Sequence, residues 1–163
     1  GTSTEVDKYV IYNYVDNLWS VGSLDRTAWH DTGIFTFPMG SNSTGTVFNQ
    51  ENGVNDVTSA ITASIETGFF SGDANGDNII FMNKIIPDTS FGEGTTIKFQ
   101  LKSKRYPNDS EITKGPYSIT SSTNKLNFRT RGRSFQCKWY TDETDVTWRL
   151  GTWRAQGQAD GTR

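Results

Sequence analysis

Short segments of the chain alternate between apolar and polar residues with a period of two. In residues 97–102 the odd positions are Ile97, Phe99 and Leu101, and the even positions are Lys or Gln. This alternation is typical of a strand with one buried face. Turn-forming residues recur at about the 8–12-residue spacing seen in all-β proteins. The pattern predicts an all-β chain, with an antiparallel β-sandwich domain over residues 59–163.

The first third of the chain carries a separate aromatic pattern. Tyr9–Tyr14 alternates and returns, after a short turn, through Leu18–Val21, and a second strand pair is predicted at Gly33–Met39 and Gly45–Gln50. Aromatic hairpins of this kind repeat once per blade in β-propellers, so residues 1–58 are predicted to form a propeller-blade-like β unit. A single blade does not bury its own faces. It needs missing sequence, the second domain or a neighbouring subunit.

Residues 61–88 hold two apolar, β-branched runs around a Gly/Asp/Asn-rich turn, a pattern that predicts a β-hairpin. Ile61, Ala63 and Ile65 would share one strand face. Val54, Val57, Ile61 and Ile65 also fit a helical stripe, but the Thr, Ser and β-branched residues favour strand from residue 59. The pattern assigns residues 54–58 neither to a strand nor to a helix.

The strand predicted from residue 126 onward changes its buried face. Leu126 and Phe128 lie at even positions, whereas Phe135 and Trp139 lie at odd ones. One extra residue in a strand reverses the side of every later side chain. A bulge or irregularity at Gly132 is therefore predicted.

Arg129, Arg131 and Arg133 form a cationic row on the opposite side of this strand, about 13–14 Å long at a rise of about 3.3 Å per residue. They are candidates for a subunit interface or for contact with DNA phosphates. A solvated face or intrachain ion pairs would explain them equally.

Asp73, Asn75 and Asp77 alternate in a tight loop, as oxygen ligands of a calcium ion do. A helix-loop-helix calcium site needs glycine at the sixth position and an acid at the twelfth. Gly76 and Lys84 do not fit those positions, and the same residues suit an ordinary turn. We therefore expect no metal and no other cofactor.

Residues for catalysis are few. His30 is the only histidine and Cys137 the only cysteine, and no nucleophile motif or nucleotide-binding fingerprint accompanies them. The prediction is a non-enzymatic protein. A hydrolase with its active site outside these residues remains an alternative. A lone cysteine also precludes an intrachain disulfide and favours assembly in a reducing cytoplasm.

Aromatic residues offer a rival function. A non-catalytic carbohydrate- or receptor-binding β-sandwich module would stack sugars on exposed tryptophans, and packing in a core or interface is the other role open to them. The chain has five tryptophans: Trp19, Trp29, Trp139, Trp148 and Trp153.

Composition argues against two further classes of function. The 163 residues are 33% hydrophobic and 13% aromatic, with a net charge of −2. This charge argues against a nucleic-acid binder driven by electrostatics. No apolar run approaches the roughly 20 residues that span a bilayer, so no membrane partner is expected.

Several segments match a known family in residue identity as well as in pattern. They are the 61–88 block, Tyr12-Asn-Tyr14 with Trp19-Ser20, Leu24-Asp-Arg-Thr-Ala-Trp29, Arg131-Gly-Arg133 and Trp148-Arg-Leu-Gly151. In order and spacing they cover nearly the whole chain. The sequence resembles the C-terminal part of the tail nozzle (tubular tail) and DNA-stabilising hub proteins of short-tailed bacteriophages.

The resemblance implies a virion structural protein that retains packaged DNA and conducts it during ejection. It implies a fragment or processed part of a longer protein and a homo-oligomeric ring, with a hexamer expected. Further partners would be other tail or adaptor proteins and genomic DNA that passes without sequence preference. The protein would reside in the virion tail after assembly in the cytoplasm of the host bacterium.

Overall fold

The computed structural model describes residues 4–92 and 95–162, and in those ranges the chain is all-β, with antiparallel strands and no helix. The first strands are β1 Lys8–Asn13, β2 Leu18–Ser23, β3 Ala28–His30, β4 Met39–Ser41 and β5 Val47–Asn49. They are followed by β6 Asn55–Asp56, β7 Ser59–Ala60, β8 Ala63–Glu66, β9 Phe70–Ser71, β10 Ile80–Ile86 and β11 Thr89–Phe91. The last are β12 Ile97–Lys104, β13 Ile112–Ile119, β14 Leu126–Gly132, β15 Ser134–Thr141, β16 Trp148–Leu150 and β17 Arg154–Ala159.

The chain divides into two compact units, Gly1–Gly53 and Val54–Arg163. The sequence pattern predicts the boundary at residue 59, and the observed division lies a few residues earlier. In the first unit, β1 and β2 form a hairpin in which Tyr12 lies opposite Trp19, and β3, β4 and β5 form a separate three-stranded sheet. Within the described residues neither unit closes into a barrel or propeller.

The strand predicted at Gly33–Met39 is wrong for most of its length. Residues 32–37 form bends and a turn, and β4 begins only at Met39. The carbonyl of Thr32 accepts a hydrogen bond from the Phe35 amide at 2.7 Å, and Gly33 has a φ of 42°. A left-handed residue inside a local turn does not continue a strand.

The second unit contains a three-stranded sheet in the order β14-β10-β17 and a five-stranded sheet in the order β13-β12-β15-β8, with β9 beside β15. Side chains from both sheets form one hydrophobic core. The alternation predicted for residues 97–102 is confirmed, since β12 buries every odd position. The core residues are Ile80, Met82, Ile85, Ile97, Phe99, Leu101, Ile119, Leu126, Phe128, Phe135, Cys137 and Trp139.

The hairpin predicted over residues 61–88 is wrong. Its first run supplies β8 and β9, which pair with β15, whereas its second run is β10, which pairs with β14 and β17. The Gly/Asp/Asn-rich turn thus connects two sheets. Because β8 lies at an edge of its sheet, Ile65 stays exposed, and Ile61, just before β8, is exposed as well.

The change of face at Gly132 is confirmed, but it is a corner between sheets and not a bulge within one strand. β14 ends at Gly132 in the three-stranded sheet, and β15 begins at Ser134 in the five-stranded sheet. Between them, the Arg133 amide donates to the Lys104 carbonyl at 2.8 Å, and the Arg133 carbonyl accepts from the Gly72 amide at 2.9 Å. These bonds satisfy the backbone where neither ladder continues.

Cys137 lies fully buried in β15, and this burial raises the pKa of its thiol to about 12. A thiol reacts as the thiolate, so the folded protein should not react with Ellman's reagent at pH 8. One equivalent should react once denaturant unfolds the second unit. Rapid labelling without denaturant would contradict this packing of β15.

Candidate functional site

The three arginines of the predicted row have different surroundings. Arg131 forms an ion pair with Asp160 and lies over the Phe81 ring, 5.1 Å from its centroid. Arg133 donates to the Thr162 carbonyl at 2.7 Å and lies 4.8 Å from the Tyr106 ring centroid. Arg129 has no hydrogen-bond or ion-pair partner among the described residues. Arg131 and Arg133 are thus engaged within the chain, which leaves Arg129 available.

Arg129 lines an open groove of about 720 Å³ on the solvent side of the three-stranded sheet. The register of β10 shifts between Met82 and Lys84 against both of its neighbours. Such irregularities bend a strand and redirect its side chains, and they open a depression where regular pairing stops. The polar and aromatic lining comprises Phe81, Asn83, Lys84, Asn127, Phe128, Arg129 and Gln156.

The groove is cationic and contains no acid. Lys84 and Arg129 line it together, and neither has an ion-pair partner in the described part of the chain. The Asn83 Oδ1 atom beside them is buried without a hydrogen-bond partner among the described residues. We name this surface the cationic groove. Two cations in one groove without a counterion favour binding of an anionic group.

The solvent side of the five-stranded sheet is balanced in charge by contrast. Lys98 binds Asp142 at 2.6 Å, and Glu111 lies 3.3 Å from both Lys102 and Lys104. The hydrogen bond with Asp142 raises the pKa of Lys98, and that with Lys102 lowers the pKa of Glu111. These exposed pairs contribute little stability each. Among the described residues of this face they leave no comparable unpaired pair of cations.

The loop that was the weak metal candidate is organised by its own hydrogen bonds. Asp73 accepts hydrogen bonds from the Gly76 amide, from the Asn78 amide at 3.1 Å and from the Asn78 side chain at 2.8 Å. The Asp77 carbonyl accepts from Arg133 at 3.3 Å. In the described residues no group of three or more His, Cys, Asp or Glu side chains is placed to hold a metal ion. Asp73 closes the turn between β9 and β10.

Acid should open this turn only at low pH. Hydrogen bonds, first from the Asn78 side chain, hold the pKa of Asp73 below its ordinary value of 3.8. The carboxylate therefore stabilises the loop fully above that value, and its contribution is lost as the pH falls through the lower folded pKa. The Gly76 and Asn78 amide resonances should keep their positions down to about pH 4 and shift below it. In Asp73→Asn this shift of the amide resonances at low pH should be absent. If the variant shows the same shift, another titrating group causes it.

The β1–β2 hairpin exposes apolar side chains on both of its faces. One face carries Val10, Tyr12, Trp19 and Val21, with the Tyr12 and Trp19 rings stacked at 4.4 Å. Trp19 is 68% exposed and Val21 78%. The other face carries Tyr9, Ile11 and Leu18, which are also exposed. Neither strand pairs with a third strand among the described residues, so both edges are open as well.

The five tryptophans fall into two groups. Trp139 is fully buried, and Trp148 and Trp153 pack against the core, with Trp153 lying 5.0 Å from Trp139 between ring centroids. Trp19 and Trp29 are exposed in the first unit. His30 is also exposed there, and its ring meets that of Phe35 edge-on, 5.8 Å apart between centroids. A sugar platform, if present, would therefore use Trp19 or Trp29.

Lys84 and its neighbours in the groove were missed from the sequence. A signal for them existed: Asn83 and Lys84 are two consecutive polar residues between Met82 and Ile85, and they break the alternation of β10. That interruption is typical of a bulge. The partners of Lys84 across the sheet, Asn127 and Gln156, come from distant strands, so no local pattern would predict them.

No protein-family model matches the chain, and no curated protein matches it. The described residues contain no helix long and apolar enough to cross a membrane.

Proposed function

We propose that this chain is a virion structural protein of a bacteriophage tail, a nozzle or hub subunit that assembles into a ring of identical copies. The ring, with six copies expected, would retain packaged DNA and conduct it during ejection. The β1–β2 hairpin, with two apolar faces and two open edges, is the observation that carries this proposal. The residue-level resemblance of segments along nearly the whole chain supports the choice of family.

An isolated two-stranded hairpin is marginally stable in water, and open apolar edges promote association. Burying a side chain such as Val21 or Leu18 contributes about 1.5–3 kcal/mol. A surface with Val10, Trp19 and Val21 on one face is thus a strong driving force for assembly. We take the neighbouring copy to cover it. In finer detail, the first unit would be part of a propeller-like blade, and the two sheets of the second unit a β-sandwich.

A conduit must let DNA slide, so it should present few phosphate contacts. Arg131 and Arg133 are engaged within the chain, which leaves Lys84 and Arg129 as the unpaired cations of the groove. Duplex binding by Lys84 and Arg129 of a single free copy should give a log–log salt slope of about −2 or shallower. A steep slope or a preferred sequence in filter-binding assays would contradict the conduit.

The proposal includes no catalysis, cofactor or membrane. Other tail or adaptor proteins would bind the ring, which would be assembled in the host cytoplasm and carried in the virion tail. Glycosides, peptides and esters should not be hydrolysed.

The hairpin provides the direct test. In Val10→Thr/Val21→Thr both side chains keep their shape but become polar, so a buried interface would lose stability. The variant should sediment as a monomer at concentrations where the parent forms rings. Ile112→Thr, an exposed apolar position in β13 of the second unit, is the matched control and should assemble like the parent. A parent that stays monomeric at every concentration would refute the proposal.

One observation favours a second function, a non-catalytic carbohydrate- or receptor-binding module. Trp19 stacks on Tyr12 and stays 68% exposed, as a sugar platform requires. Micromolar binding of a defined glycan by a monomer, lost in Trp19→Ala or Trp29→Ala, would select this function. Trp153 is unsuited to that test because it packs against the core.

A further inference from the structure

We infer that the ring closes head to tail, with the hairpin tip of one copy bound in the cationic groove of the next. This inference rests on the proposed function and gives its interface. The two units differ in charge: residues 1–53 contain six acidic and two basic side chains, a net charge of −4. Residues 54–163 contain twelve acidic and fourteen basic ones, a net charge of +2. The first unit of one copy is thus attracted to the second unit of another.

The groove forms the cationic side of the proposed contact. Lys84 and Arg129 line the same groove without a counterion from the described residues, and the lining contains no acid. Arg131, two residues from Arg129 on β14, already forms an ion pair with Asp160. A carboxylate from outside would therefore pair with Lys84 and Arg129 and remove the repulsion between them. Phe81 forms an apolar wall for the rest of the bound segment.

The hairpin tip forms the acidic side of the proposed contact. Tyr14 is 81% exposed and Val15 is 77% exposed, and Asp16 follows them in the turn, where its Oδ2 atom accepts from the Asn13 side chain at 3.0 Å. The Asn13 Oδ1 atom accepts from the Val15 amide at 3.0 Å and from the Asp16 amide at 3.2 Å, which holds the turn in shape. The tip thus presents one carboxylate beside two apolar side chains in a fixed conformation. Little conformational entropy is lost when such a preorganised loop binds.

The geometry also explains why a ring would form. The tip and the groove are different surfaces, so a contact between them is heterologous, and every open assembly still offers one free tip at one end and one free groove at the other. Such contacts propagate until the ring closes. A two-fold dimer would instead need both tips to enter the partner's groove at the same time, so the number of copies in the assembly distinguishes it from the ring.

Complementation between two blocked variants tests the inference. Lys84→Glu/Arg129→Glu blocks the groove, and Asp16→Ala removes the acidic group of the tip without creating a cation that would complement the altered groove. Each variant alone should remain monomeric, with an association constant reduced roughly 30-fold or more, since each loses the charge pairs of the contact. Mixed together, they should form a one-to-one heterodimer through the single intact tip and groove, and no larger species. Lys125→Glu/Arg149→Glu, the same charge change outside the groove, should assemble like the parent.

The outcomes separate the interface from the function. Rings of normal size and affinity in either blocked variant would overturn the head-to-tail contact but would not contradict the proposal that the chain is a ring subunit. Failure of the mixture to form a heterodimer, with both variants unfolding at the parent's denaturant midpoint, would also overturn it. A parent that stays monomeric would overturn both proposals. Assembly of the parent should weaken as salt rises, because the contact is electrostatic.

Discussion

Trp139→Ala is expected to lower the free energy of unfolding of the second unit by about 3–5 kcal/mol. Trp139 is fully buried in β15, and its ring lies 5.0 Å from those of Phe99 and Trp153 between centroids. Removing the indole leaves a cavity between the two sheets, and the surrounding strands cannot collapse into it without losing their pairing. Urea unfolding followed by circular dichroism measures the loss.

Trp139→Phe should be milder than Trp139→Ala. The indole Nε1–H of Trp139 is buried without an acceptor among the described residues, so Phe removes an unpaired donor while it keeps most of the ring volume. Trp29→Ala is the exposed control and should change stability by less than about 0.5 kcal/mol. Equal losses for Trp139→Ala and Trp29→Ala would contradict the described core.

Gly132→Val should destabilise the second unit by about 3 kcal/mol. A Cβ atom at Gly132 would lie 2.8 Å from the Lys104 carbonyl oxygen and 3.1 Å from the Ser103 Cβ. The contact is with backbone, and the Arg133 amide already holds that carbonyl at 2.8 Å. Relief would require the corner between β14 and β15 to open, which would shift Phe135 out of the core.

Gly68→Val is the matched control for Gly132→Val. A Cβ atom at Gly68 would have no neighbour within 4 Å, so its stability should stay within about 0.5 kcal/mol of the parent. If Gly132→Val unfolds at the same urea concentration as Gly68→Val, the close approach at the corner is wrong.

Burial patterns were readable from the sequence where strands have one buried face. The alternation of residues 97–102, the face change at Gly132 and the Tyr12–Trp19 hairpin were all predicted and are present. Each depends on a local two-residue period, which the chain itself encodes.

Strand partners were not readable in the same way. β10 is apolar enough to pair with the run before it, yet it lies between β14 and β17, strands that follow it by many residues. β17 has no clear signal in the sequence, because Arg154–Ala159 is wholly exposed and contains no large apolar residue. It is held through backbone pairing with β10, which leaves no trace in side-chain type.

The candidate site was predicted in part for the same reason. Arg129, Arg131 and Arg133 were identified by their spacing, but their partners Asp160 and Thr162 lie on the C-terminal segment. Sequence spacing does not show which charges are neutralised across a sheet. The groove around Lys84 depends on a register shift shared by three strands, so it emerged only with the pairing.

Native mass spectrometry of the parent protein tests the central claim most directly. We expect a single closed assembly of identical copies, six in number, that becomes weaker as salt is raised and is absent in Lys84→Glu/Arg129→Glu. A monomer over the whole concentration range would contradict the claim that this chain is a ring subunit.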